Sequence, residues 1–147
     1  MKILFLALIA FFITSCAKMN SDYFNSSFAV EETKINYNKI ADDFSQFIIS
    51  YYAPNKTTFF INEDKNNQDF SNYFINTLRK KGYAISNDNS KKDLTFLSYQ
   101  ISQIDNENIV AIFNINESKI NVIYKIIENK LVKPNITSFN FTPKTKG

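Results

Sequence analysis

The 147 residues include no histidine and no tryptophan, only two glycines, three prolines and a single cysteine. Without histidine the chain lacks the one side chain that ordinarily titrates between pH 5 and 8, and with it the commonest general base and metal ligand. Two glycines cannot build a Gly-rich phosphate-binding loop. One thiol forms no intrachain disulfide and no thiolate metal cluster, so stability has to come from burial. Scarce Gly and Pro, with no low-complexity tract, argue against a disordered stalk. Charge of one sign is lacking too: 17 basic side chains face 14 acidic ones, a net +3 that selects no partner. What the chain does have is apolar mass, with 15 Phe and 8 Tyr, ample for the core of one domain.

The longest apolar run is at the start. Lys2 supplies a positive n-region and Ile3 to Ile13 are unbroken apolar residues, followed by Thr14, Ser15 and the lone Cys16. As a helix the run reaches about 17 Å, well short of the roughly 30 Å hydrocarbon core of a bilayer, so it reads as an export signal and not as a membrane span. Ile13-Thr14-Ser15-Cys16 resembles the lipobox of bacterial lipoproteins, which implies a diacylglyceryl group on the Cys16 sulfur and cleavage before Cys16. The alternative is an incidental cysteine closing an ordinary secretory signal, against which the only thiol of the chain sits at the lipobox position. Two or three acyl chains, at about 0.8 kcal/mol per buried methylene, hold such a protein on its membrane for practical purposes permanently. Ala17 stands where an acidic residue would favour inner-membrane retention in that family, so outer-membrane sorting facing the periplasm is the expectation.

The domain plan follows. Residues 1–15 are the signal peptide, and 16–36 are the lipidated N-terminus and a polar Ser/Asn-rich tether. Residues 37–142 are the folded domain and 143–147 a basic tail. Scattered Tyr23, Phe24, Phe28 and Val30 in the tether are either inert or a short motif that docks on a partner. From Tyr37 to Ala53, apolar residues at Ile40, Ala41, Phe44, Phe47, Ile48 and Tyr51 keep the 3–4 spacing of an amphipathic helix that Pro54 stops. Thr57 to Ile61 is a short β-rich run. A second helix is expected at Gln68 to Lys81, with Arg79, Lys80 and Lys81 in its last turn and Gly82 beyond it. Tyr83 to Ser86 reads as a strand. Then the period drops to two: Thr95/Leu97/Tyr99/Ile101, Ile109/Ala111/Phe113/Ile115 and Ile120/Val122/Tyr124/Ile126 are three strands of an antiparallel meander. Pro134 is expected to break the chain before a last edge strand at Ser138 to Phe141. The fold class is α+β: two amphipathic helices packed on a mixed, largely antiparallel sheet of five or six strands. The alternate positions Leu94, Phe96, Val110, Ile112, Ile123 and Ile127 are also apolar, so the second sheet face is expected to be covered in part, and Ile123 is a candidate partner-binding residue.

Chemistry is almost absent. The pairs Asp42-Asp43 and Glu31-Glu32 point to different sides of a helix and read as solvated charge. Lys80-Lys81 and Lys91-Lys92 have no interleaved aromatics, so no direct nucleic-acid contact is expected. No catalytic, cofactor or metal site is expected, and the chain is not read as an enzyme.

Two stretches carry a wider resemblance. Ala41-Asp42-Asp43-Phe44, Tyr52-Ala53-Pro54, Thr57-Thr58-Phe59, and Asp69-Phe70 with Leu78-Arg79-Lys80-Lys81-Gly82-Tyr83-Ala84-Ile85 resemble the TrbH family of conjugal-transfer lipoproteins. In the second half Leu97-Ser98-Tyr99, Ile109 to Ile115, Ser118 to Tyr124 and Leu131-Val132-Lys133-Pro134 keep the same order. The resemblance implies an outer-membrane lipoprotein that is a structural or assembly subunit of a conjugative type IV secretion apparatus, in a hetero-oligomeric ring with periplasmic core-complex proteins. An envelope lipoprotein regulating a cell-wall synthase shares the same anchor, tether and small domain, and is the alternative.

Overall fold

The computed structural model describes residues 25–31 and 34–140. The elements are β1 (Ser27–Ala29), α1 (Asn38–Tyr51), a 3-10 turn (Pro54–Lys56), β2 (Thr58–Ile61), α2 (Gln68–Lys80), β3 (Ala84–Ser86), β4 (Leu94–Gln103), β5 (Asn108–Ile115), β6 (Ser118–Ile127) and β7 (Lys130–Asn140). They make a seven-stranded mixed sheet in the order β3-β2-β4-β5-β6-β7, with β1 added on β4. The expected α+β class with two helices on a mixed sheet is what the chain adopts.

Both helices form where their spacing says they should. In α1, Ile40, Ala41, Phe44, Ser45 and Ile48 are buried, and in α2, Phe70, Ser71, Phe74, Ile75 and Leu78. Asn67 caps α2, its Oδ1 accepting the Phe70 N–H at 3.2 Å. The end of α2 is a Schellman motif: Gly82 N–H donates to Arg79 O at 2.9 Å and Tyr83 N–H to Leu78 O at 3.2 Å. The motif needs a left-handed residue, and Gly82 has φ +90°.

The helices pack on one face of the sheet through aromatic rings. Phe44 stacks on Phe113 of β5 with centroids 3.5 Å apart, while Phe74 lies 6.1 Å from both Tyr99 and Phe113. Phe70 meets Tyr99 edge-on at 4.9 Å. The Tyr99 hydroxyl is satisfied by Ser71 Oγ at 2.5 Å, and the Tyr83 hydroxyl donates to Tyr52 O at 2.6 Å. Leu97, Tyr99 and Ile101 of β4, Ile109 to Ile115 at alternate positions of β5, and Ile120, Val122 and Tyr124 of β6 complete this core.

Three features differ from the sequence expectation. The tether drawn to residue 36 is interrupted by β1, which runs parallel to β4 with Phe28 in register with Ile101; Ile35 is buried as well. The expected break at Pro134 does not occur: β7 runs through it, because β7 is an edge strand where a missing N–H leaves no inner ladder broken. The β6–β7 register shifts between Ile123 and Lys125, beside that proline. The sheet therefore has seven strands instead of five or six.

Burial raises the pKa of every core tyrosine hydroxyl for which a shift is resolved. Tyr52 is pushed up to about 12 by burial, and Tyr83, Tyr99 and Tyr124 rise for the same leading cause. A phenol whose folded pKa exceeds its unfolded value contributes stability that is complete below pH 10 and lost as the pH climbs through the folded value. With no histidine in the chain, the melting temperature should be nearly flat from about pH 6 to 9 and fall steeply above about pH 10. Circular-dichroism melts across that range check this, and a stability that holds at pH 11 would contradict the tyrosine burial.

Candidate interaction site

The described part of the chain offers three surfaces. The first is the seam between β1 and the rest. β4 carries two parallel strands on one edge, β2 along Leu94 to Leu97 and β1 along Gln100 to Ser102. At their junction Asp64, only 6% exposed, accepts Phe28 N–H at 2.8 Å and Asn66 N–H at 2.9 Å. Ser26 Oγ accepts Tyr99 N–H at 3.1 Å, and Asn62 Nδ2 donates to Asn25 Oδ1 at 2.7 Å. Side chains thus close the ladder where the two strands leave a gap. Phe28 lies 5.2 Å from Tyr37 and 5.3 Å from Phe70, ring to ring.

The second is a shallow depression between α1 and β5–β6, lined by Asp43, Phe44, Phe47, Phe113, Ile120, Val122 and Tyr124. Asp43 Oδ1 accepts from Lys39 Nζ at 3.1 Å. The Tyr124 hydroxyl is raised mainly by burial and further by the Asp43 charge. Asp42 and Asp43 therefore divide their roles: Asp42 is exposed and accepts the Tyr73 hydroxyl at 3.0 Å, while Asp43 edges this depression. Apolar walls with one carboxylate provide no nucleophile–base pair, and among the described residues no group of three or more His, Cys, Asp or Glu is placed to hold a metal ion.

The third surface is the sheet face turned away from the helices. Phe60 and Phe96 pair across β2 and β4 with rings 5.6 Å apart. Val110, Ile112 and Ile123 are half-buried on β5 and β6, and Val110 is in register with Ile123. In the middle of this face Ser98 and Asn114 are opposite each other, Asn114 Nδ2 donating to Ser98 Oγ at 3.3 Å.

Of the residues singled out from sequence, Cys16, Tyr23 and Phe24 lie outside the described residues. Phe28 lies in β1, half-buried, and packs against the core. Ile123 is on the second sheet face, half-buried, with its backbone beside Asn135 of β7. Sequence reasoning missed Asp64, Ser98 and Asn114. Asp64 sits in a polar connection with nothing to mark it, but Ser98 and Asn114 were visible as polar positions inside alternating apolar strands.

Fold and surfaces together define a small α+β domain with a half-apolar second sheet face and an aromatic depression beside α1. The model of the family described as conjugal transfer protein TrbH matches residues 18–140, and the chain belongs to that family. It is therefore a conjugal transfer protein by family. No curated protein and no solved structure matches it.

Proposed function

We propose that the chain is an outer-membrane lipoprotein, anchored through Cys16 and facing the periplasm, that serves as a structural or assembly subunit of a conjugative type IV secretion apparatus. The observation that carries this reading is the family match over residues 18–140, which begins two positions after the cysteine of the Ile13-Thr14-Ser15-Cys16 lipobox. The partners on this reading are the periplasmic core-complex proteins of the machine, in a hetero-oligomeric ring, with no direct contact to nucleic acid. A lipid anchor confines the domain to the layer where such proteins assemble and raises its effective concentration there. Extraction in a mild detergent, followed by identification of what co-purifies, tests it. Periplasmic transfer proteins are the expected result, whereas recovery of a cell-wall synthase instead would move the protein to the regulator class.

The second sheet face is the contact surface this reading favours. Ile123→Lys should leave the melting temperature within a few degrees of the parent, because Ile123 is only half-buried. It should also lose the co-purifying partner, since a lysine ammonium does not enter an apolar contact without a compensating charge. A variant that stays folded and keeps its partner would place the interface elsewhere.

A further inference from the structure

The charge of the sheet has one sign. None of the seven strands includes an Asp or Glu, and their only charged residues are Lys119, Lys125, Lys130 and Lys133. The acids Asp42, Asp43 and Asp69 belong to α1 and α2, on the layered side. Along β6, Ile120, Val122 and Tyr124 are in the core under the helices, so the alternate residues Lys119, Ile123, Lys125 and Ile127 face the other way. The register sets Lys130 of β7 opposite Ile127 and Val132 opposite Lys125, on that same second face. Lys119, Lys125 and Lys130 are exposed. Across the ladder Lys119 has Asn114 and Asn140, and Lys125 has Asn108 and Val132, so no carboxylate stands beside either. The one salt bridge among the described residues, Lys39–Asp43, lies elsewhere.

The same half of this face is apolar. Ile104, Ile127 and Val132 are three of the five large apolar side chains left exposed among the described residues, at 55%, 51% and 43%. All three lie at the end of the sheet where β4 turns into β5 and β6 into β7. Val110 and Ile123, half-buried and in register, continue the surface inward. Lys125 and Lys130 sit within it as diagonal neighbours, about 7–8 Å apart. Three kinds of surface can cover such a patch, and charge separates them. A second copy meeting it face to face brings lysines against lysines, with no carboxylate on the strands to compensate. A bilayer is an extended plane, so it also meets the exposed Asp105, Glu107 and Glu128 in the turns at this end and Glu117 at the other. Those acids repel the anionic headgroups that the lysines attract. A narrow protein segment fits between the two rims. From Lys119 to Lys125 the strand runs about 20 Å, the length of a helix of about 13 residues, and a helix is an element that layers on a sheet face.

We propose that the β6–β7 half of the second sheet face receives an acidic amphipathic helix of another protein, with its apolar side chains on Val110, Ile123, Ile127 and Val132 and its carboxylates on Lys125 and Lys130. The apolar contact supplies the attraction and the two lysines select the partner. A segment with neutral or basic residues at those positions covers two ammonium groups without a counter-charge, which costs more than the apolar contact returns. The chemistry of the partner is thereby named for the contact surface of the proposed function, and the inference rests on that reading for which protein supplies the helix.

The test uses the full chain in its own membrane. A photoreactive benzoylphenylalanine replaces Ile127, and the cross-linked peptide is sequenced by mass spectrometry. The expected adduct is to a segment of another protein with apolar residues at helical spacing and Asp or Glu between them. Adducts to a second copy of this chain, to lipid or to a segment without carboxylates would each overturn the proposal, and so would the lack of any adduct. Charge is then exchanged on both sides. Lys125→Glu/Lys130→Glu should lower the adduct yield about tenfold or more, Lys125→Gln/Lys130→Gln several-fold, and Lys125→Arg/Lys130→Arg hardly at all. Replacing the carboxylates of the cross-linked segment by lysine should restore the yield of the Glu pair. Both positions are exposed, so circular-dichroism melts of these variants should stay within a few degrees of the parent. Should the Glu pair unfold, the Gln pair, which adds no charge, makes the same comparison. Yields that do not follow charge overturn the proposal. Failure of the conjugative reading would appear separately, as an acidic amphipathic segment belonging to a protein outside the transfer apparatus, and would leave the charge exchange unchanged.

Discussion

Phe44→Ala should cost about 3–5 kcal/mol of folding stability, and Phe74→Ala a similar amount, the range measured for phenylalanines deleted from packed cores. Phe44 is 3% exposed and Phe74 0%. Phe44 touches the aromatic system on three sides, with Phe113 at 3.5 Å, Phe47 at 5.8 Å and Phe74 at 5.9 Å. Removing its ring leaves a cavity that the sheet cannot close, because β5 is paired on both edges and cannot move toward α1 without breaking ladder hydrogen bonds. With no disulfide available to the chain, this loss is a large fraction of the roughly 5–15 kcal/mol that holds a domain of this size. The midpoint should fall by more than about 10 °C. Ile104→Ala, at a position 55% exposed, is the matching control and should stay within about 0.5 kcal/mol. Denaturant melts of both variants decide it: equal stability for Phe44→Ala and the parent would mean that α1 does not seat on β5 as described.

The parts of the fold legible in the sequence are those whose signal is local. Ile40, Phe44 and Ile48 repeat every four residues, as do Phe70, Phe74 and Leu78, and each set marks one buried helix stripe. Gly82 announces the Schellman stop, and alternation in β4, β5 and β6 marks both strand and buried face. What escaped was non-local. β1 is three residues long among Ser and Asn, and its partner lies more than 70 residues away, as the Ser26–Tyr99 bond shows. A parallel pairing leaves no turn signal to connect the two. Pro134 misled for a related reason, since whether a proline breaks a strand depends on which edge its missing N–H would have faced, a property of the sheet and not of the segment. The candidate surface was half legible: apolar residues at Val110, Ile112 and Ile123 were readable as a second apolar face, while the burial of Ser98 and Asn114 at its centre needed coordinates.

On the lipoprotein reading, Cys16→Ser should be the most damaging single change in the chain for function while leaving the folded domain alone. A serine hydroxyl cannot replace the thiol in diacylglyceryl transfer, so neither acylation nor cleavage at position 16 follows, and the protein should be recovered as uncleaved precursor or in the soluble periplasmic fraction. Losing acyl chains worth about 0.8 kcal/mol per methylene removes the domain from the membrane surface entirely. Its contact with an assembly fixed at that surface then depends on bulk concentration, and the lost effective concentration predicts a drop in transfer of about 10² or more. The first strand begins at Ser27, eleven residues along the chain from position 16, so the melting temperature of the domain should not move. Metabolic labelling with a fatty acid, fractionation and a mating assay on the same strains separate the outcomes. Label retained by Cys16→Ser would refute lipidation at Cys16, and normal transfer by an unlabelled, soluble variant would show that the domain works without its anchor.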